Sequence, residues 1–497
     1  MAGWRSAWSP SPSPCSKLVV WSLIVALLLL SGFLVRMIPK ASNRLLATPS
    51  HQTFAATKDA RGRAMEISAK GSSSPPFAGG PIIHNPFEPE KEGKKEALNA
   101  TRTTATSGKK YTKLAKIEAS LAQARAAING AKYGNGAEDP DYVPNGPIYR
   151  HPKTFHRSYL EMERRFKVFV YEEGEPPVFH TAPCQGILGM EGIFINHMEI
   201  SPFRTRDPYK AQAFFLPFSV VSVVRYVYVV DSHDWGAMKN TALDYVNVLA
   251  AKHPFWNRSL GADHFMLACH DWGPEISFAI PNLYNNSIRA LCNANTSERF
   301  TPARDVSIPE IHLPEGTIDG LTGGPPASQR QHLVFFAGGI HGDIRAVLLE
   351  HWQNKDEDVQ IHQYLPKNVS YYDMMRRSKY CICPSGYEVA SPRMVEALYV
   401  GCVPVLIKDH YVAPFSDVLN WKSFSVDVPV RDIPSLKKIL TGISQRRYIK
   451  MQKRGLQVRR HFEVNLPPKR YDVFHMILHS IWLRRLNIRV RDGKNLD

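Results

Sequence analysis

The sequence contains neither a Walker A motif nor a G-x-G-x-x-G motif. Without these glycine-rich phosphate loops, an ATPase or a dinucleotide-dependent enzyme loses its main motif support. Histidine and cysteine are not grouped at the spacing of zinc ligands, and Cys381-X-Cys383 is typical of one face of a strand. The sequence therefore predicts no resident cofactor and no dependence on a metal.

Acidic residues are few compared with basic ones, 45 against 62, which leaves a net charge of +17. Such a charge suits nucleic acid, membrane headgroups, anionic donors or acidic glycans. The basic residues form no single recognition helix, because they concentrate in the first third of the chain and in its last fifty residues. Solvated helix faces account for most of them, and we predict no nucleic-acid partner.

One long apolar run stands out, at residues 18–35, eighteen residues without a charge. That length is at the short end of what spans a hydrocarbon core of about 30 Å. A cleaved signal peptide would have a shorter apolar core and a small-residue cleavage site, and a buried core helix would not lie between low-complexity segments. We therefore predict a cytoplasmic tail at 1–17 and a signal-anchor transmembrane helix at 18–38.

The orientation of this anchor is not settled by charge, because basic residues flank the run on both sides. Asn-X-Ser/Thr glycosylation sequons give some support for a luminal C-terminal part. All five follow the anchor: Asn99, Asn257, Asn285, Asn295 and Asn368. Six cysteines also follow it, and their 15 conceivable pairings leave the disulfides open.

A flexible luminal stem is predicted at 39–148, where the chain has few apolar clusters. Within it, residues 113–127 place apolar side chains at helical spacing. This segment predicts either a short stem helix that associates with a second copy or a lone exposed helix.

The folded body is predicted to begin near Tyr149 and to alternate strands with helices. The strand candidates are 167–171, 213–218, 264–269, 333–337, 380–383 and 403–407, with helical patterns at 237–252 and 344–353 among the segments between them. This alternation favours an α/β fold with parallel sheets. A Pro- and Gly-rich break at 302–331 divides the body into an acceptor-side domain at 149–310 and a donor-side domain at 325–482, followed by a basic tail at 483–497. Two Rossmann-like domains facing a cleft are the simplest architecture.

The first donor-site pattern lies at 380–407, a strand, loop, helix and strand. Ser391 is expected to cap the helix, with Pro392 at its first position. A helix start at the carboxyl end of a parallel strand attracts phosphate. Arg393 in the first turn would neutralise a diphosphate, and Glu396 on the same face would accept hydrogen bonds from ribose. The alternative is a capped helix with an exposed Arg–Glu pair.

A second pattern of the same kind follows the strand at 333–337. Gly338 and Gly339 permit close approach of the backbone, Asp343 is a candidate helix cap, and Arg345 falls in the first turn. The alternative for the two glycines is a simple tight turn. Each of the two turns would thus bring one arginine to a phosphate.

Four segments carry a resemblance to a known family: FRTRDPYKAQAFFLPF at 203–218, WNRSLGADHFMLACHDWGP at 256–274, FFAGGIHGDIR at 335–345 and the stretch from YYDMMRRSKY to VGCVPVLI at 371–407. In this order they resemble the exostosin-type glycosyltransferases, in particular the plant branch of family 47, over about 149–482. The resemblance implies a GT-B fold, inverting chemistry, a UDP-sugar donor and a type II Golgi membrane topology. Carried over by position, it implies that Arg345, Ser385, Arg393 and Glu396 surround the donor nucleotide; we add Gly338, Gly339 and Gly386 of the same loops. The acidic segment at 229–234 departs from what the family leads us to expect.

The acceptor side needs a general base to take the proton of the attacking hydroxyl. The polar loop after the strand at 264–269 is the best source, and Asp271 is the first candidate, with Asp263 second. His270 and Trp272 are candidates for acceptor contacts, the latter by stacking on a sugar face. The alternative is that His270 and Asp271 only cap the loop.

Two segments imitate an aspartate-rich metal motif. Asp356-Glu357-Asp358 follows a polar helix end, whereas residues 231–234 follow the apolar run 227–230 and imitate a metal-binding strand end more closely.

The sequence as a whole predicts an inverting glycosyltransferase that moves a sugar from a UDP-sugar to a polysaccharide or glycan in the Golgi lumen, in cell-wall polysaccharide synthesis. A glycoside hydrolase would require a pair of carboxylates and would leave the arginines without a purpose. A non-catalytic luminal glycan-binding protein would use the basic surface alone. The sugar, the acceptor, and any homo- or hetero-oligomer with other glycosyltransferases stay open.

Overall fold

The computed structural model describes residues 112–134 and 138–491, which all belong to one structural unit. The predicted tail, the anchor helix, Asn99 and most of the stem lie outside the described residues. Within the described ranges, no helix combines the length and the apolar character that crossing a membrane requires.

The helix predicted within the stem, α1 (Lys113–Gly130), packs against the folded body. The Thr112 hydroxyl accepts a hydrogen bond from the Ala115 amide, which caps the first turn. Leu121 and Ala124 are fully buried, and Glu118 binds Arg485 near the other end of the chain at 2.6 Å. The interpretation of a lone exposed helix is therefore wrong, and the body begins at α1 rather than near residue 149.

The first sheet has six parallel strands in the order β2-β1-β3-β4-β5-β6. Its strands are β1 (Val168–Val170), β2 (Arg204–Thr205), β3 (Ala213–Phe215), β4 (His264–Ala268), β5 (Ile288–Leu291) and β6 (Val306–Ser307). The predictions at 167–171, 213–218 and 264–269 are confirmed. The strand β5 escaped prediction because Arg289, fully buried against Asp305, interrupts its apolar pattern.

Seven helices accompany this sheet in the described chain. They are α2 (Pro152–Arg165), α3 (Met190–Ile200), α4 (Val220–Tyr226), α5 (Gly236–Lys252), α6 (Pro254–Ser259), α7 (Gly273–Phe278) and α8 (Pro281–Asn285). The predicted helix at 237–252 corresponds to α5. In α2, proline occupies the first position and Phe155, Tyr159 and Met162 form the buried stripe at helical spacing.

The second sheet has five parallel strands in the order β11-β10-β9-β7-β8. Its strands are β7 (His332–Ala337), β8 (Val359–His362), β9 (Ser378–Pro384), β10 (Val403–Ile407) and β11 (Val426–Asp427). Its helices are α9 (Asp343–Trp352), α10 (Tyr371–Arg377), α11 (Arg393–Val400), α12 (Leu436–Thr441) and α13 (Gln445–Val458). All three strands predicted in this half are confirmed, because each is a continuous buried run.

The last helix, α14 (Val473–Asn487), returns to the first half of the body. The Trp482 ring lies 5.5 Å from the Phe166 ring, and Arg484 and Arg485 donate to backbone carbonyls of Asp305 and Gln212. Buried arginines need hydrogen-bond acceptors, and these two find theirs among the backbone carbonyls of the first half. Residues from the end of the chain therefore complete the first half of the body. The donor-side boundary at 482 and the tail from 483 cut through this helix.

The carboxyl edges of the two sheets face each other. After β5, the amide of Asn293 donates to Glu388 in the loop after β9, at 2.5 Å. Ser307, at the end of β6, donates to the carbonyl of Val412 beyond β10, at 2.6 Å. The carboxyl edge of a parallel sheet is where such folds bind ligands, so these loops define the candidate site.

Candidate functional site

Two loops of the second sheet form one side of the site. The first connects β7 to α9 across residues 338–342, and the second connects β9 to α11 across residues 385–392. The helix starts differ from the predicted ones. Asp343 is the first residue of α9 after Gly342, and α11 begins at Arg393, so the predicted Ser391 cap is wrong: its hydroxyl is buried, makes no capping bond and has no partner among the described residues.

These two loops touch so closely that glycine is required at Gly342. A Cβ atom at Gly342 would lie 2.5 Å from the carbonyl oxygen of Gly386, and Gly342 also has a φ of +79°. A Cβ atom at Gly338 would lie 2.6 Å from Nη2 of Arg393. Gly339 is less restricted, because its nearest neighbour would be Nε2 of His341 at 3.3 Å. Gly338 therefore leaves room for the guanidinium group of Arg393.

Both predicted arginines reach this contact, each from one loop towards the other. The Nη2 atom of Arg345 lies against Gly386, and Arg393 donates to the carbonyl of Ala337 at 3.1 Å. The Nε atoms of both arginines are buried and have no hydrogen-bond partner within the described chain. Burial, together with repulsion from Arg393, lowers the pKa of Arg345 to about 10. Two guanidinium groups held together with unused donors form a site suited to a multiply charged anion.

Glu396 is buried and its carboxylate already has protein partners. Tyr371 and Tyr372 donate their hydroxyls to it at 2.9 and 3.2 Å, and His312 lies at 3.4 Å. No ion pair joins it to Arg393 in the described chain, so the interpretation of an exposed Arg–Glu pair is wrong. Binding ribose would require it to exchange a tyrosine hydroxyl for a sugar hydroxyl.

Ser385, the remaining predicted donor residue, shapes its own loop. Its side chain is 5% exposed and its hydroxyl donates to the carbonyl of Val389 at 3.0 Å. Its backbone amide donates to the carbonyl of Ile407 at the end of β10.

Asp271 lies on the opposite side of the site, in the loop that follows β4. The disulfide between Cys269 and Cys292 ties this loop to the end of β5. The Asp271 side chain keeps contact with solvent. Partial desolvation of its carboxyl group and the charge of Glu298 raise its pKa to about 6.

A buried carboxylate that sequence reasoning missed positions this loop. Glu191 of α3 accepts hydrogen bonds from the amides of Cys269 and His270 through one oxygen. Its other oxygen accepts from the Ser219 hydroxyl in the loop after β3 and from the Val221 amide in the first turn of α4. Glu191 therefore holds two neighbouring loops together at the edge of the first sheet.

His270 and Trp272 flank Asp271. Burial lowers the pKa of His270 to about 4, so its imidazole is neutral at physiological pH. Its Nδ1 accepts a hydrogen bond from the Trp272 amide at 3.1 Å, which leaves the proton on Nε2. Trp272 is half-buried and precedes α7. This local bond confirms that His270 takes part in the loop turn, but its partner is Trp272 and not Asp271.

Asp263, the second candidate for the base, does not reach the site. It lies at the amino end of β4, 1% exposed, where Ser259 and Arg258 donate to it at 2.6 and 2.8 Å. Burial alone would raise its pKa, but the hydrogen bond from His264 and the charge of Arg258 hold that pKa well below its usual range. Asp263 is a structural ion-pair residue, because only the carboxyl end of the strand faces the second sheet.

Two further acidic residues of the site were not predicted. Glu310, just after β6, is 8% exposed; burial and the charge of Asp271 raise its pKa to about 8, against the effect of Arg393 and Arg345. Glu388 follows β9, and burial and the charge of Asp271 likewise raise its pKa to about 8. A strand only two residues long precedes Glu310, so the sequence carried no strand signal that would have placed it.

The two aspartate-rich segments that imitate a metal motif have other surroundings. Residues 227–230 form no strand but an irregular segment after α4, and Asp356 and Asp358 both bind Lys437, at 2.7 and 3.1 Å. In the ranges described, no group of three or more His, Cys, Asp or Glu side chains is arranged to hold a metal ion. A cavity of about 420 Å³ lies at the carboxyl ends of β1 and β3, beside the edge strand β2, and none of the predicted site residues lines it.

The sequons differ in accessibility. Asn257, Asn285 and Asn368 are exposed. Asn295 is 7% exposed, its amide nitrogen donates to Glu298 at 3.1 Å, and its side-chain oxygen accepts from Ser297. The expectation of a glycan at Asn295 therefore conflicts with its burial.

Comparison with known proteins places this geometry in context. A model of the exostosin GT47 domain matches residues 162–443. A probable glycosyltransferase of Arabidopsis thaliana is 62% identical over 398 residues, which cover 79% of this chain and 77% of that protein. A probable beta-1,4-xylosyltransferase and a probable glucuronoxylan glucuronosyltransferase of the same plant are each 27% identical. They cover 67% and 76% of this chain, and 85% and 86% of their own lengths.

Proposed function

The chain belongs to the exostosin GT47 family and is a glycosyltransferase, and from that premise we propose that it transfers a sugar, with inversion, from a UDP-sugar to a polysaccharide or glycoprotein glycan. The observation that carries this proposal is the convergence of Arg345 and Arg393 between two glycine loops, with buried Nε donors that no acceptor among the described residues uses. A nucleoside diphosphate supplies the charge and the oxygen atoms that such a pair lacks.

A GT-B arrangement fits the two parallel sheets. Their carboxyl edges face each other, so a donor held by the second sheet presents its sugar to the first. In such an arrangement, the anionic leaving group lies beside the arginines of the second sheet, and the attacking hydroxyl lies beside the carboxylate of the first.

The chemistry of inversion is a single displacement at the anomeric carbon. The acceptor oxygen forms a bond to that carbon while the bond to the diphosphate oxygen breaks, and the electron pair leaves with the diphosphate. Arg345 and Arg393 stabilise the departing charge, a task in which one preorganised donor is worth about 10²- to 10³-fold in rate. This assignment gives the protein itself the role that a metal has in other transferases, and we expect activity to survive chelation by EDTA.

Asp271 is the proposed proton acceptor. With a pKa raised to about 6, it is ionised at neutral pH and more basic than an ordinary aspartate. Glu310, whose pKa is raised to about 8, stays protonated at neutral pH in the absence of substrates and does not compete for the proton.

The Golgi lumen is the proposed location, with the chain held by an anchor at 18–38. The disulfides Cys269–Cys292 and Cys381–Cys402 fit an oxidising compartment, and three exposed sequons fit a glycosylated luminal domain. Because two relatives are named for xylosyl and glucuronosyl transfer, a plant cell-wall polysaccharide is the proposed acceptor class.

The test is protection by UDP against thermal unfolding of the full-length chain. A ligand present at 100 times its dissociation constant stabilises the native state by about 2.7 kcal/mol. We therefore expect UDP to raise the Tm of the wild type. Arg345→Gln and Arg393→Gln should abolish the rise, whereas Arg377→Gln, an exposed arginine of the same half, should keep it. A screen of UDP-sugars for donor hydrolysis then identifies the sugar. The proposal fails if millimolar UDP protects none of the proteins, or if the Arg377 variant loses protection equally.

A further inference from the structure

The loop at 227–235, between α4 and α5, has no role in the chemistry described above. Asp231 and His233 have φ angles of 65° and 53°, in the left-handed region that non-glycine residues seldom adopt. Val229 and Val230 expose 70% and 71% of their surface. A loop that keeps strained backbone and exposed aliphatic side chains is a feature that folding stability alone does not explain.

Three aromatic side chains connect this loop to the site. The rings of Tyr228 and Trp272 have centroids 5.0 Å apart, and those of Trp235 and Trp272 lie 5.1 Å apart. All three pack partly against the hydrophobic core and keep part of their surface in solvent. We call Tyr228, Trp235 and Trp272 the aromatic platform.

The aromatic platform borders the candidate base. Trp272 directly follows Asp271 in the loop after β4, and the loop after β3, which leads into α4, is held to it by Glu191. The shared carboxylate therefore sets the position of the aromatic surface relative to the reacting edge. The other members of the platform extend away from Asp271 through ring contacts with Trp272.

The charges around the aromatic platform do not favour an anion. The ammonium group of Lys239 lies 5.6 Å from the ring centroid of Trp235 but pairs with Glu275 at 2.5 Å. The exposed Asp231 and Asp234 of the loop add negative charge. A neutral ligand with an apolar face suits this surface better than an anion. A pyranose ring is such a ligand, because its axial C–H groups form an apolar face while its hydroxyls stay in water.

We propose that the aromatic platform binds a neutral sugar ring of the acceptor chain, next to the residue that receives the new sugar. The inference rests on the proposed transferase function and deepens it, because it makes the acceptor a chain of at least two or three neutral residues rather than a single sugar. The continuity with Asp271 selects this occupant over a second copy of the protein or a membrane.

The kinetic test uses a ladder of neutral acceptor oligosaccharides, from one to eight residues, with the full-length chain. Trp235→Leu keeps apolar packing but removes the aromatic face, and we expect KM for the longer acceptors to rise about tenfold, the scale of one aromatic contact. KM for the monosaccharide and kcat at saturation should change little. Trp235→Phe should restore most of the affinity. Tyr226→Ala, at an exposed aromatic one residue before the loop, should behave as wild type.

A binding measurement separates this proposal from the transferase proposal. Calorimetric titration with the longest oligosaccharide requires no donor, and UDP protection is measured on the same samples. Weaker glycan binding by Trp235→Leu with unchanged UDP protection supports the platform. Equal glycan affinity and equal KM for wild type and Trp235→Leu overturn it, as does a loss of self-association in that variant without any change in glycan affinity. Absence of UDP protection in the wild type would contradict the proposed UDP-sugar donor, but the glycan titration could still be interpreted.

Discussion

The two edges that face each other in this molecule are built in opposite ways. At the second sheet, Gly342 and Gly386 bring two loops into backbone contact, and Arg345 and Arg393 lie beside that contact. At the first sheet, a disulfide and the buried Glu191 hold the loops, and the site is lined by acidic and aromatic side chains. One edge is closely packed and carries the two arginines, and the other carries Asp271 and Glu310.

The comparison shows how one cleft can bind two substrates on different sides, the donor at the second sheet and the acceptor at the first. Burial, together with repulsion between like charges, lowers the pKa of Arg345 to about 10 and raises the pKa of Asp271 to about 6. Arg345 therefore stays charged throughout the physiological range, whereas Asp271 titrates near it. The proposed phosphate contact of Arg345 should be insensitive to pH, and the proposed base should respond to it.

The largest expected effect is on the acceptor edge. Asp271→Asn removes the proposed base, so we expect kcat to fall by about 10² to 10⁴, with UDP affinity unchanged. Glu310→Gln should cost less, because Glu310 is already protonated at neutral pH. Steady-state kinetics of both variants decides between them: a larger loss for Glu310→Gln would transfer the role of base to Glu310. Asp263→Asn is the control for a structural effect. Breaking its buried ion pair should lower the free energy of unfolding by about 3–5 kcal/mol without removing a base from the site.

The next effect breaks the close packing of the donor edge. Gly342→Ala places a Cβ atom against a backbone carbonyl at a φ of +79°, a strain of about 1–3 kcal/mol that should weaken UDP binding about 10- to 100-fold. Gly339→Ala is the matched control, because it meets only the end of a histidine side chain and should bind UDP nearly as well as wild type. Titration calorimetry measures both. Equal affinities would show that the two loops need not touch.

A smaller effect sharpens the difference in pH response. Asp271 acts in its ionised form, so activity is full above its pKa of about 6 and is lost as the pH falls through that value. We expect kcat/KM to drop about tenfold between pH 7 and pH 5 if this single group controls it. UDP affinity over the same range should vary only with the second ionisation of the phosphate, because Arg345 stays protonated. A flat pH–rate profile would argue against Asp271 as the base.

The smallest effect concerns glycan attachment on the two halves. In a eukaryotic secretory host we expect modification at Asn257, Asn285 and Asn368, and none at the buried Asn295. Peptide mapping by mass spectrometry tests each site. Removing the three exposed sequons should leave kcat/KM unchanged, and a glycan found on Asn295 would contradict the packing described here.

Sequence patterns predicted most of the second sheet and its two arginines, because buried parallel strands are continuous apolar runs and each arginine follows a strand, a glycine turn and a helix start. The same reasoning failed for Asp263 and Ser391. Both have the right residue type near a strand or helix end, but one lies at the amino end of its strand and the other is buried without capping anything.

What the sequence by itself determined is local: the parallel α/β character, the glycine loops, and the presence of one arginine at each of two helix starts. What only the tertiary structure decided is which of these local features meet. Glu310 and Asp271 are 39 positions apart, yet the charge of Asp271 helps to raise the pKa of Glu310. The last helix follows the second sheet along the chain, yet it packs against the first half of the body and completes it. Local propensity depends on neighbours within a turn or a strand, whereas charge and packing act through space across the whole chain.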